Sequence, residues 1–237
     1  MKALVIHVAK MTERGEHIDH MLHAIGMEYE FVLDADADTL TPELIGHYLK
    51  DGPEHMTTRL RHASCTIKHL MACERIINQN LEGALVLEDD IVLHDDFMPR
   101  FQQSINEWQQ QWIDQPVIIS YEDSSLQFVP RSQRHKGQML YPGRKDRMAG
   151  AYFVSRRAAE AVIADIVLHK TDIPIDCYHT RLLQHGTITY LWCQPALATQ
   201  GSFTGAFKSS LTSKKDRLIT IRWWFKKNYK RLLYWLR

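Results

Sequence analysis

The sequence predicts an α/β domain with a largely parallel central sheet flanked by helices, followed by a basic amphipathic helix at the carboxyl end. Three observations predict it. Short apolar runs alternate with helical patterns along most of the 237 residues, the signature of strands joined by crossover helices. The run Ala84-Leu85-Val86-Leu87 is continuously apolar, as a parallel strand covered on both faces is. It ends in Glu88-Asp89-Asp90, and the carboxyl end of such a strand is where open α/β sheets place their ligands.

The elements follow in order. Residues 3–8 read as a buried strand, and a weakly helical stretch then runs to Gly26. Glu28–Leu33 is a second strand, alternating before Asp34. Thr41-Pro42-Glu43 is a helix start, with a cap residue and then proline at the first helical position; this helix should end near Gly52-Pro53. Residues 58–80 form a long helix whose buried face is Leu60, Ala63, Ile67, Leu70, Met71 and Ile77. The acid-tipped strand comes next, then a short Ile91–Leu93 segment and a helix capped from His94-Asp95-Asp96. Phe97, Phe101, Ile105, Trp108 and Trp112 lie on one face of that helix and read as core. Pro116–Tyr121 is a strand. Glu122–Arg147 is irregular and carries six basic residues, Arg131, Arg134, Lys136, Arg144, Lys145 and Arg147; a loop of that length is commonly functional or flexible. Gly150–Val154 is a strand, Arg156–Leu168 a helix, and Pro174-Ile175-Asp176 opens another helix through about Gln184. Thr187–Trp192 is a late strand and Pro195–Thr204 an irregular segment.

Composition narrows the class. At 45% hydrophobic and 24% charged the chain is ordinary globular material. Its four cysteines, Cys65, Cys73, Cys177 and Cys193, make no CxxC pair and read as free thiols of a reducing compartment. The first strand is too short an apolar run for a secretory leader, and no run of roughly 18 apolar residues offers a membrane span. The net charge of +1 conceals an asymmetry: Lys208–Arg237 holds ten Lys/Arg and one acid, and the remainder holds 19 Lys/Arg and 27 acids. The basic end alone therefore calls for an anionic partner.

On local sequence, Glu88-Asp89-Asp90 reads either as a solvated acidic turn or as hard oxygen ligands for Mg²⁺ or Mn²⁺, ions that also hold substrate phosphates. Residues two apart on an extended chain point the same way, which pairs Glu88 with Asp90 and turns Asp89 aside.

Several segments together resemble glycosyltransferase family 25, which includes bacterial lipooligosaccharide galactosyl- and glucosyltransferases and the collagen galactosyltransferases. These are Val5-Ile6-His7-Val8 with Glu13-Arg14, Ser64-Cys65-Thr66-Ile67-Lys68-His69, Leu87-Glu88-Asp89-Asp90 with Asp95-Asp96-Phe97, Gly150-Ala151-Tyr152-Phe153-Val154-Ser155 with Ala158-Ala159, and Pro174-Ile175-Asp176. Five motifs stand in the family's order over residues 3–205. The chain departs at His7, where the family usually carries asparagine, and at Lys68, where serine usually precedes the motif histidine. The resemblance implies a GT-A-like fold over residues 1–207, a UDP-sugar donor (UDP-galactose first, UDP-glucose second), Mn²⁺ or Mg²⁺, and inverting transfer to a lipooligosaccharide or lipopolysaccharide core. It assigns Asp90 as the direct metal ligand and Glu88 as a second one. Ile6, His7, Arg14, Lys68, His69 and Glu88 fall on the donor side, with Asp89, toward the sheet or the sugar, as a catalytic candidate. Asp176 is the candidate base for the acceptor hydroxyl, or else only a cap of its helix; Asp123 and Asp172 are rivals. His69 also suits a structural hydrogen bond, and Arg14 a surface ion pair. The basic residues of 131–147 suit an acceptor bearing phosphate or carboxylate.

Residues 208–237 form the basic aromatic tail. Leu218, Ile221, Trp224, Phe225, Leu232 and Trp235 can share one helical face, with Lys226, Lys227, Lys230 and Arg237 largely on the other. That pattern describes a helix lying in a membrane interface, and implies a cytoplasmic protein on the inner face of the inner membrane with a lipid-linked acceptor. Other readings are a nucleic-acid arm or a helix packed on the body, and, for the whole chain, a non-catalytic carbohydrate- or nucleotide-binding protein or a nucleotidyltransferase.

Overall fold

The computed structural model describes residues 1–50, 60–204, 207 and 217–236, the last stretch with side chains from 221 onward. In chain order the elements are β1 (Lys2–Ile6), α1 (Thr12–Ala24), β2 (Glu28–Val32), α2 (Pro42–Tyr48), α3 (Leu60–Asn78), β3 (Gly83–Glu88), β4 (Ile91–Leu93), α4 (Phe97–Gln111), β5 (Val117–Ser120), a 3-10 turn (Arg131–Gln133), β6 (Leu140–Pro142), β7 (Ala151–Ser155), α5 (Arg156–His169), α6 (Ile175–Gln184), β8 (Thr189–Cys193), β9 (Ala198–Gln200), α7 (Gly201–Thr204) and α8 (Arg217–Leu236).

Seven strands form one mixed, largely parallel sheet in the order β2-β1-β3-β7-β5-β8-β6. β2, β1, β3, β5 and β8 run one way, and β7 and β6 run against them. β4 and β9 make a separate antiparallel pair. Alternate residues of the central strands serve two cores. Leu4, Ala84, Val86, Ile118 and Val154 pack under α2, α3, α5 and α6. Ala3, Val5, Leu85, Leu87 and Phe153 pack under α1 and α4. The aromatic stripe of α4 is core, as its spacing predicts: Phe97, Phe101 and Trp108 are buried, each contributing on the order of 1.5–3 kcal/mol.

Four expectations need correction. The α4 cap does not form, because Asp96 makes no capping bond and pairs instead with Arg100 in the first turn. The helix opened by Thr41 is capped by that threonine but stops at Tyr48, before the expected Gly52-Pro53, which lies outside the described residues. The segment 195–204 is not irregular: it supplies β9 and α7. The stretch 122–147 is not one loop, since it contains β6, paired to β8. Arg147 there is wholly buried, donates to the Cys193 carbonyl at 2.8 Å and lies over the Trp192 ring. It is therefore a core cation, removed from the set that could meet an acceptor.

Candidate functional site

The parallel strands β1, β2, β3 and β5 end at one edge of the sheet, and their trailing residues meet there. β3 carries Glu88 at its last position, opposite Ile6 of β1. The chain then turns, with the Asp89 N–H donating to the Ile6 carbonyl at 3.2 Å and the Glu88 N–H to the Gly150 carbonyl at 2.8 Å. Gly150 is required at this point: a Cβ there would stand 2.7 Å from the Gln200 amide, which donates to Glu88 at 3.2 Å.

The three acids have separate environments. Asp89 is buried, and its two oxygens take His7 Nδ1 at 2.8 Å and Arg14 Nη1 at 2.9 Å. His7 lies against Gly15, where a Cβ would come within 3.0 Å of the ring. Asp90 is 5% exposed; one oxygen is 3.5 Å from Arg14 Nη2, and Oδ1 has no hydrogen-bond partner among the described residues. Glu88 is half-buried, 3.8 Å from the Cys65 thiol and 3.6 Å from His69 Nε2. Burial first, and then repulsion from the neighbouring acids, pushes Glu88 up to about 7 and Asp90 up to about 6. A buried lone oxygen beside two carboxylates whose negative charge is disfavoured is the environment that a hard divalent cation relieves, so these side chains fit Mn²⁺ or Mg²⁺.

The other expected residues divide between two places. Lys68, 1% exposed, donates to the His7 carbonyl and to Asp36, and Asp36 in turn accepts the Ala9 N–H at 3.2 Å. The loops after β1 and β2 are thereby tied through one buried amine, and the Ile6 carbonyl is occupied by Asp89. Asp176 opens α6, half-buried, with Oδ1 accepting the Cys177 N–H at 2.8 Å. Its charge acts on Cys65, His69 and Glu88, so it belongs to the Glu88 side of the site. Asp172 instead pairs with Arg181 at 3.4 Å. Asp123 is wholly buried and holds Lys227 at 2.8 Å and Arg231 at 3.3 Å, with Thr199 donating at 2.7 Å.

Two residues that the sequence did not single out also border the acids. These are Glu122, which accepts the Gly150 N–H at 2.8 Å and keeps one buried oxygen without a hydrogen-bond partner among the described residues, and Gln200, which donates to Glu88; Asp36 stands further out, on Lys68. Asp36 and Glu122 were findable, because each follows a strand of the same parallel set, as Glu88 does.

A mixed, largely parallel sheet with helices on both faces and acids gathered at its strand ends is an α/β fold of the GT-A-like class. The chain belongs to glycosyltransferase family 25 (LPS biosynthesis protein), whose family model matches residues 1–179. No curated protein matches. Among solved structures the chain is similar to a glycosyltransferase involved in the glycosylation of the major capsid of PBCV-1, at 12% identity and TM-score 0.41, covering 84% of this chain and 92% of that one. It is also similar to mouse xyloside xylosyltransferase 1 in its apo form, at 13% identity and TM-score 0.41, covering 79% and 70%. A197 from STIV matches at 14% identity and TM-score 0.42, covering 81% of each chain.

Proposed function

We propose that this glycosyltransferase of LPS biosynthesis transfers a hexose, galactose first and glucose second, from a UDP-sugar to a lipid-linked core oligosaccharide with inversion. The observation that carries the reading is Asp90, whose buried Oδ1 lacks a hydrogen-bond partner among the described residues beside Glu88 at the end of β3. Asp90 and Glu88 would hold Mn²⁺ or Mg²⁺, and the ion would stabilise the charge that develops on the leaving diphosphate. Arg14, bridging Asp89 and Asp90, fixes the direction in which the acids present their oxygens. Asp89 is a positioning residue, since both of its oxygens are taken by His7 and Arg14. Lys68 and Asp36 hold the β1 and β2 loops in place for the nucleotide. Asp176 is the base that would take the acceptor hydroxyl's proton.

The membrane part of the reading rests on α8. Its inner face packs on the body: Trp223 donates to the Ser124 carbonyl at 3.1 Å, Lys227 and Arg231 reach Asp123, and Arg131 lies over Trp235. Ile221, Phe225, Tyr229, Leu232 and Leu236 are left more than half exposed on the opposite side, and Trp224 is more than half exposed at its flank. An apolar, aromatic outer face flanked by Arg222 and Lys226 suits a bilayer interface with anionic headgroups. Among the described residues no helix is long and apolar enough to cross a membrane.

The test is transfer from UDP-galactose and UDP-glucose to a purified core acceptor, with and without Mn²⁺. Asp90→Asn should lower kcat by about 10²-fold or more with little change in melting temperature. Full Mn²⁺-dependent activity in Asp90→Asn would overturn the site.

A further inference from the structure

Beside the acids lies a second group with a different chemistry. Cys65 and His69 are one helical turn apart on α3 and so share a face, and His69 meets the Tyr152 hydroxyl of β7 from it. The end of β3 brings Glu88 to them, and Cys65 Sγ, His69 Nε2 and a Glu88 oxygen all lie within 4.8 Å of one another. His69 is wholly buried, and its Nε2 has no hydrogen-bond partner among the described residues. Its Nδ1 pairs with the Tyr152 hydroxyl at 2.7 Å. With Nδ1 donating, the Nε2 lone pair points toward the thiol and the carboxylate, the second-shell arrangement that orients a ligating histidine.

We propose that Cys65, His69 and Glu88 form a site for a borderline-soft divalent ion of the Zn²⁺ class, distinct from the hard-ion pair Asp90 and Glu88 and sharing one carboxylate with it. Tetrahedral zinc bonds of about 2.0–2.3 Å place neighbouring ligand atoms about 3.3–3.6 Å apart. The separations here are 3.6 Å from His69 to Glu88 and 3.8 Å from Cys65 to Glu88, with all three atoms within 4.8 Å of one another, so closing the site needs side-chain adjustment of about an ångström or less. The sulfur ligand selects Zn²⁺ or Co²⁺ over Mg²⁺ and Mn²⁺. On binding, the Cys65 S–H bond breaks, the proton leaves to solvent and the sulfur lone pair forms the metal bond. Burial already keeps the His69 ring neutral, the form that ligates.

The consequence rests on the reading of Asp90 and Glu88 given above. A Glu88 carboxylate held by zinc on the α3 side is withdrawn from the phosphate-side ion, so zinc acts as an inhibitor that competes through one shared side chain.

Titration of the metal-free full-length protein with Co²⁺ tests the site without any turnover. One equivalent should give a thiolate-to-cobalt charge-transfer band with the visible bands of a tetrahedral ion, and Zn²⁺ should bleach both. Cys65→Ser should abolish the charge-transfer band and weaken binding by about 10-fold or more, and Cys177→Ser should leave it intact. A missing band, or one that follows Cys177, overturns the site. Glu88→Gln keeps the shape of the chain and guards against misfolding, and undiminished Co²⁺ affinity there overturns the three-ligand assignment. In the transfer assay zinc should inhibit the wild type and spare Cys65→Ser; equal inhibition of both overturns the shared-carboxylate claim. If the cobalt spectra appear as expected while no UDP-hexose is used, the hexosyl reading fails and the metal site stands.

Discussion

Asp89 and Asp90 are adjacent acids in different environments, and substitution should separate the duties proposed for them. Asp89 pairs with Arg14 and hydrogen-bonds His7 Nδ1 in a buried setting. Asp89→Asn removes the carboxylate from a buried pair with Arg14 and should cost about 3–5 kcal/mol, read as a lower urea midpoint. Asp90→Asn removes a charge from a carboxylate whose Oδ1 has no hydrogen-bond partner among the described residues and whose other oxygen is a long 3.5 Å from Arg14, so its loss should appear mainly in turnover. A third residue contributes to the acid limit of stability. His179 is 1% exposed between Tyr152 and Tyr190, and neither ring nitrogen has a partner among the described residues. Burial, with a smaller contribution from His69, lowers its pKa from the ordinary 6.5 to about 3. Above pH 6.5 the ring is neutral in both states and contributes no pH dependence. As pH falls from 6.5 toward 3, the unfolded chain takes up a proton that the folded chain refuses, and stability falls by about 1.4 kcal/mol per pH unit. His179→Phe should remove one proton's worth of that slope, seen as a wild-type-minus-variant difference in urea denaturation that narrows from pH 6.5 to 4.5.

At the scale of elements, legibility follows the range of the interactions that make each one. β1, β3 and β5 announce themselves because strands buried on both faces are apolar at every position, and α4 because its aromatics recur at helical spacing. β6 and β9 have three residues each, too few for any period, and exist because β8 and β4 offer them edges. The acid cluster was readable at Glu88-Asp89-Asp90, but its supports were not. Gln200 comes from 112 residues away, and the Lys227–Asp123 pair spans 104. For α8 the sequence showed two faces without showing which one meets the body. The inner face carries Trp223, Lys227 and Arg231, so two of its cations neutralise Asp123. Trp224→Ser with Phe225→Ser and Leu232→Ser should abolish flotation with anionic vesicles while leaving the melting temperature unchanged. Lys227→Ala should lower the melting temperature, because it weakens the charge partnership of a buried carboxylate. Equal flotation of the triple variant and the wild type would remove the membrane role from this helix.

At the scale of the molecule, the acidic body and the basic end are partners. The near-zero net charge of the chain reflects contacts such as Lys227 and Arg231 on Asp123 as much as any outside surface. α8 also lies close to the chemistry. Thr199 bonds Asp123, and the next residue, Gln200, bonds Glu88. A helix anchored there, with its oily side turned outward, would hold the acids a fixed short height above a bilayer. The kinetic consequence on the membrane-docked reading is that this enzyme obeys surface dilution. Its rate follows the mole fraction of acceptor within the lipid plane rather than the amount per litre. Adding inert lipid or detergent at constant total acceptor should slow wild-type turnover in proportion, and should leave turnover of the Trp224, Phe225 and Leu232 serine variant on a soluble acceptor untouched.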